Sequence, residues 1–411
     1  MNRLKKEPME LDGAGLRANV GRTLWLGFFK AFLVIMPVAV PFFQGKGLSM
    51  QEVFSLQALF AFVVMVTEAP SGYLADLIGR RRCLVLGTAF SGVGYSLLVV
   101  ADGFWTLALF ETAVALSFSL TSGADLALLY DTELARGSSN RRQRQVVGKL
   151  YAVRTLSEAA AGVACSLLLA WGTLGGVVAA QVLVGWLPLL LALRLREPPT
   201  ARLSAEGHLA NMVRITRHLL RGDLILRLVF LALCVWSLTT FYAVWLLPKL
   251  WEQQSLGLAH FGYLWGGLCA LSAVAGRWTP HLEERIGPAG VLAIMGLLPA
   301  LGYLGLDRFG VAGGLLAAST FFIARGLGTV ILTDALNSRV PSEFRATANS
   351  LASFGFRGLF VATGPPVGLA FDLWGLGTTL LMLAALSLGV FIGLIAPLIV
   401  VVRGLPAKAA G

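Results

Sequence analysis

The apolar residues of this chain come in blocks of about 20, and the blocks recur from one end to the other. A helix rises 1.5 Å per residue, so each block is long enough to cross ~30 Å of hydrocarbon. In lipid every backbone N–H and C=O needs a partner within the protein, and uninterrupted runs of this length meet that need as helices. A membrane barrel would show short strands of alternating polarity instead. Of 411 residues 56% are hydrophobic and 13% charged, against roughly 25% charged in soluble domains. The expected fold class is therefore an all-α polytopic membrane protein.

The blocks place twelve spans at 22–44, 52–76, 82–101, 104–131, 147–171, 174–194, 223–247, 257–279, 288–306, 311–335, 345–371 and 376–402. They fall into two six-helix bundles, 22–194 and 223–402. Segments 1–21 and 403–411 are polar ends, and 195–222 is a central linker. Within it "EGHLANMVRITRHLLRG" repeats apolar residues at helical spacing opposite Arg and His, which predicts an amphipathic helix lying on the membrane surface. The polar stretch Met1 to Gly21 has no apolar core before a cleavage site, so the first span itself is expected to direct insertion.

The formal net charge of +11 does not point to nucleic acid, because the basic residues sit in short loops. Twenty-five Lys and Arg lie on the side that carries both termini, and only Lys46, Lys249 and Arg308 lie on the other. By the positive-inside rule both termini are expected in the cytoplasm. Cys83, Cys165, Cys234 and Cys269 are scattered along spans without CxxC spacing, which suits packing rather than metal or redox work. The four histidines show no ligand spacing either. "VVGKL" lacks the upstream Gly of a phosphate-binding loop, so neither ATP coupling nor a cofactor is expected.

A faint repeat links the halves. "GYLADLIGR" (72–80) superposes on "PHLEERIGP" (280–288) at an offset of 208 residues, aligning Gly79 with Gly287 and Asp76 with Glu284. The first copy, read on as "GYLADLIGRRR" (72–82), resembles the loop signature between spans 2 and 3 of the major facilitator superfamily. The resemblance extends over the whole chain: twelve spans, a central linker and a degenerate second copy. "SGADLALLYDTELARG" and "RATANSLASFGFRGLF" look like segments of bacterial members. The family's arginine signature in span 4 is absent, with Glu111 near that position, and "ARGLGTV" around Arg325 looks like a displaced counterpart. Span 5 has no proline where drug antiporters carry Gly-Pro-Gly.

The resemblance implies two pseudo-symmetric bundles working as a monomeric secondary transporter of the bacterial inner membrane, with the solute site between them. It also implies a gate on the side of the termini. Asp76 would face the start of span 11, Arg80 would meet an acid low in span 4 such as Asp131, and Gly72 and Gly79 would shape the loop.

Ionisable side chains within spans cost ~2.5–3.5 kcal/mol or more, so each needs a partner or a function. Glu68, Asp125 and Glu158 are the candidates for proton coupling. Glu68 has no cation nearby in its own span; it either carries protons or is locked to Lys30 or Arg154. Asp125 carries protons or pairs with Arg154. Arg154 and Glu158, four residues apart, share a helix face and either form a structural pair or serve the cavity. Lys30, Arg154, Arg325 and Arg357 are candidates for solute binding. Two buried guanidiniums at similar depth, Arg325 and Arg357, need either a carboxylate each or an anionic group on the solute. The expected function is proton-coupled transport of a small amphipathic or anionic compound, leaning to export. Uptake by symport and uncoupled facilitation are the alternatives, and a polytopic enzyme or sensor is a remote one.

Overall fold

The computed structural model describes residues 13–198, 217, 219, 223–306, 310–341 and 344–404. The expected linker helix lies outside the described residues. Among the described residues ten stretches are long and apolar enough to cross a membrane, and two of these, Leu258–Gly305 and Thr347–Arg403, hold 48 and 57 residues. A single crossing takes about 20 residues, so each of these two folds back on itself. The reversals are at Gly287 (φ 73°) and Gly375 (φ 76°), in a backbone region that side chains disfavour. Twelve crossings result. Gly79, which aligns with Gly287 in the repeat, also has a positive φ of 99°.

Span 1 consists of α1 (Gly13–Ala31) and α2 (Ala39–Gly45), span 2 is α3 (Met50–Ile78) and span 3 is α4 (Arg80–Leu97). Span 4 consists of α5 (Phe104–Thr121) and α6 (Ala124–Ala135); spans 5 and 6 are α7 (Asn140–Trp171) and α8 (Leu174–Leu193). Span 7 joins α9 (Leu224–Leu231) to α10 (Ser237–Gln253) through a π turn. Spans 8 and 9 are the two arms of α11 (Leu258–Gly305), and span 10 is α12 (Gly310–Arg339). Spans 11 and 12 are the arms of α13 (Arg345–Val390), extended by α14 (Ala396–Arg403).

Two spans expected to be continuous are interrupted. In span 1 α1 stops at Ala31, and the chain resumes in a short 3-10 turn, Met36–Val38, where Pro37 sits in the first turn and its missing N–H costs no helix bond. The freed Ile35 N–H donates to Gln181 Oε1 in span 6 at 3.3 Å, which satisfies the backbone at membrane depth. In span 4 the break is at Ser122 and Gly123, where Gly123 takes φ 80°. A Cβ there would meet nothing within 4 Å, so conformation rather than space calls for glycine.

The core divides by depth. Toward the face away from the termini, one cluster runs through both bundles, with Phe54 of span 2 beside Tyr242 of span 7 and Phe360 of span 11, ring centroids 6.4 Å from it in each case. Toward the face with the termini, the bundles have separate cores. One holds Leu26, Cys83, Leu84 and Leu128; the other holds Ile225, Leu292, Leu332 and Leu398. Among the described residues the halves thus share one apolar core at one face and keep separate cores at the other. The outer surface is apolar: Trp105 and Trp171 are 80% and 91% exposed, as suits side chains at a lipid boundary.

Candidate functional site

The two broken spans meet. Lys30 lies in the last turn of α1, where the helix end carries partial negative charge, and Asp125 lies in the first turn of α6, where it is positive. Each charge therefore suits its helix end. Lys30 Nζ is 3.3 Å from Asp125 Oδ2, and Asp125 Oδ1 accepts the Leu126 N–H at 2.7 Å. From span 5 the Arg154 guanidinium donates to the same Asp125 Oδ2. The Asp125 side chain is only 2% exposed, against 18% for Lys30 and 30% for Arg154. One buried carboxylate thus serves two cations, leaving the cluster with one unit of excess positive charge.

This arrangement selects among the pairings that the sequence leaves open. Arg154 does not close an ion pair with Glu158, although the four-residue spacing permits one; it turns to Asp125, which is fixed at a helix N-terminus and buried. Glu158 is exposed, and its strongest electrostatic partner is Arg325 of span 10, followed by Arg154. Nor is Glu68 locked to Lys30 or Arg154, which Asp125 occupies. Its electrostatic partner is Arg357 of span 11. The Arg357 guanidinium lies 5.1 Å over the ring of Phe118, and its Nε donates to Ser353 Oγ at 3.3 Å. Both C-terminal arginines therefore face a carboxylate of the other bundle, and among the described residues neither closes an ion pair with it. Of the aromatic side chains noted in the sequence, Trp25 is stacked on Phe29 at 5.8 Å and Phe241 is edge-on to Phe360 at 4.9 Å.

At the face with the termini, Arg80 forms an ion pair with Asp131 and donates to the Ala127 carbonyl at 3.0 Å, which joins span 3 to the foot of span 4. Glu197, just beyond span 6, accepts the N–H groups of Arg80 and Arg81 at 2.7 Å each and caps span 3. Asp76 is exposed and interacts with Arg80; among the described residues it makes no hydrogen bond to span 11. A Cβ on Gly72 would meet nothing within 4 Å. Of the contacts expected for a gate, the Arg80–Asp131 pair within the N-terminal bundle is formed, and among the described residues Asp76 does not meet span 11.

Sequence reasoning noted Glu111 but not its partner. Glu111 is 5% exposed and accepts a hydrogen bond from Gln57 Nε2 of span 2 at 2.7 Å. Phe118, which carries the Arg357 contact, was visible only as one of 24 phenylalanines.

A search of curated proteins returns no match to the sequence. Among solved structures, the nucleoside transporter NupG superposes with a TM-score of 0.76 at 11% identity, covering 94% of this chain and 100% of that one. A bacterial homologue of the human lysosomal transporter Spinster, in an inward-facing and unoccupied conformation, gives 0.68 at 17% identity, covering 95% and 94%. A D-xylose–proton symporter gives 0.66 at 13% identity, covering 91% and 96%. At these identities the likeness is one of fold. The sequence profile of the Major Facilitator Superfamily matches residues 24–365, most of the chain, and this multi-pass membrane protein belongs to that family.

Proposed function

We propose that the protein is a secondary active transporter that binds a small organic anion, or the anionic group of a zwitterion, together with a proton. The carrying observation is the buried Asp125 carboxylate shared by Lys30 and Arg154. An anionic group arriving at Lys30 and Arg154 replaces Asp125 as their counter-ion. The released carboxylate is then buried without a cation, a costly state that uptake of a proton relieves. Anion and proton are thereby bound together, and by linkage each raises the affinity for the other. Glu158 and Glu68, facing Arg325 and Arg357 from the opposite bundle, offer a second layer of acid and base that rearranges as the bundles rock.

The basic face is read as cytoplasmic from the loop charges, which makes the conformation with parted cytoplasmic cores an inward-open one. The counter-ion exchange favours symport of an anion over the antiport expected from the sequence, since an exchanged proton would have to leave as the solute binds. Export by antiport fits a solute cation that competes with the proton at Glu68 or Glu158.

The test is transport in proteoliposomes with a set of radiolabelled small carboxylates and amino acids, inside and outside pH varied separately. Accumulation driven by an inward proton gradient, lost in Asp125→Asn, is expected. Accumulation that is independent of the gradient and of Asp125 overturns the coupling.

A further inference from the structure

Two glycines on equivalent spans carry the same feature. Span 5 reads Gly162-Val-Ala-Cys-Ser166 and span 11 reads Gly368-Leu-Ala-Phe-Asp372, at an offset of 206 residues, close to the 208 of the loop repeat. Both stretches lie near the face away from the termini, and both meet the start of a span in the other bundle. A Cβ on Gly162 would lie 2.5 Å from the Gly262 carbonyl oxygen and 2.8 Å from the Gly266 nitrogen of span 8. A Cβ on Gly368 would lie 2.5 Å from the Met50 carbonyl oxygen and 2.6 Å from Gln51 Cα of span 2. These clashes are with backbone, which cannot swing aside as a side chain can.

One helical turn further along, each glycine is followed by a hydrogen-bond acceptor aimed at the same partner. Ser166 Oγ accepts the Tyr263 N–H of span 8 at 2.8 Å. The Asp372 carboxylate accepts the N–H groups of Met50 at 3.0 Å and Gln51 at 2.8 Å. Met50 and Gln51 are the first two residues of α3, so their N–H groups have no partner within the helix. The next one, Glu52 N–H, goes to Ser49 Oγ at 3.2 Å. A carboxylate on two such groups combines charge-assisted hydrogen bonds with the attraction of the helix end.

We infer that Gly162 with Ser166, and Gly368 with Asp372, form a paired clamp that holds the face opposite the termini shut and must open in each transport cycle. The glycines let the backbones touch, and the acceptors hold them there. The two arms are unequal. Asp372 is an exposed charged group on two otherwise unpaired donors, whereas Ser166 is a buried neutral hydroxyl on one. Asp372 is therefore the stronger arm, and its contact with span 2 is the one that sets how often that face opens. The inference rests on the alternating-access part of the proposed function, but not on the solute or the proton.

The test measures distance across that face by pulsed electron resonance in the purified full chain, with spin labels on Thr173→Cys and Gln253→Cys. These positions are exposed, lie on different bundles, and the four native cysteines are buried. Asp372→Ala is expected to raise the ratio of the long-distance to the short-distance population about tenfold or more. Asp372→Asn, with one acceptor and no charge, gives a smaller rise, and Ser166→Ala a smaller rise still. Gly368→Ala shifts the ratio in the same direction while leaving Asp372 in place. Should Asp372→Ala not yield folded protein, Asp372→Asn and Gly368→Ala carry the comparison. Unchanged distance distributions in the folded Asp372 variants and in Gly368→Ala overturn the clamp. Because no solute or gradient is present, failure of proton-driven transport leaves this result standing by itself.

Discussion

Lys30 and Asp125 stand 3.3 Å apart, each at the point where its own span stops being a helix. The breaks in spans 1 and 4 supply the helix ends, the helix ends suit opposite charges, and Arg154 completes the cluster from span 5. Removing the shared acid leaves two partly buried cations facing each other. Asp125→Ala is expected to destabilise the protein by about 3 kcal/mol in detergent, measured by thermal or chemical unfolding. Asp125→Asn keeps the shape and a hydrogen-bond acceptor; it is expected to cost less while still uncoupling transport from the proton gradient.

Arg357 ties the mid-depth of the C-terminal bundle to Phe118 and Glu68 of the other. Arg357→Lys retains charge but loses the planar group that lies over the ring. It is expected to lower the apparent affinity for an anionic solute in counterflow assays about threefold to tenfold, with little change in thermal stability. Equal loss of stability and transport would assign Arg357 a structural role.

Asp76 is exposed, and its electrostatic contact is with Arg80 of its own bundle. Asp76→Asn is therefore expected to leave unfolding stability within about ±0.5 kcal/mol. If the closed state of this face places Asp76 at the start of span 11, the same variant lowers turnover and raises accessibility to cysteine reagents from the side of the termini. Chase labelling of a cysteine at Gly72 reads that accessibility directly.

Gln57 is the only hydrogen-bond donor recorded to the buried Glu111 among the described residues. Gln57→Ala is expected to cost about 1–3 kcal/mol, the penalty of leaving a buried polar group unsatisfied. Glu111→Gln preserves an acceptor for the same amide and is expected to cost far less. Differential unfolding of the two variants checks the asymmetry.

Much of the architecture can be read from the chain because lipid leaves a hydrophobic run few options. Span number and the reversals at Gly287 and Gly375 follow from block length and from the repeat around Gly79. The breaks in spans 1 and 4 were less legible. Pro37 lies in the first, but the helix already ends at Ala31, before any residue that proline restricts; Gly123 looks like any of 47 glycines until its φ is known. The charged residues of the site were visible one by one, since charge within a span is rare. Their partners were legible only as alternatives, because pairing depends on which spans pack together. Thus Arg154 could pair with Glu158 on its own helix or with Asp125, and the fold decides for Asp125. Asp372 was missed for a related reason: at the end of a span a carboxylate costs little, and nothing in the sequence says that it faces the start of span 2.

The core that unites the bundles has a consequence for attempts to stabilise the protein. In the proposed cycle, the packing around Phe54, Tyr242 and Phe360 comes apart whenever the face away from the termini opens. A substitution that improves this packing deepens one conformational well and slows exchange with the other. The separate cores around Leu84 and around Leu332 stay within one bundle each. Gains made there strengthen both conformations alike, so evolution and engineering alike can spend stability in those two places without stalling the cycle.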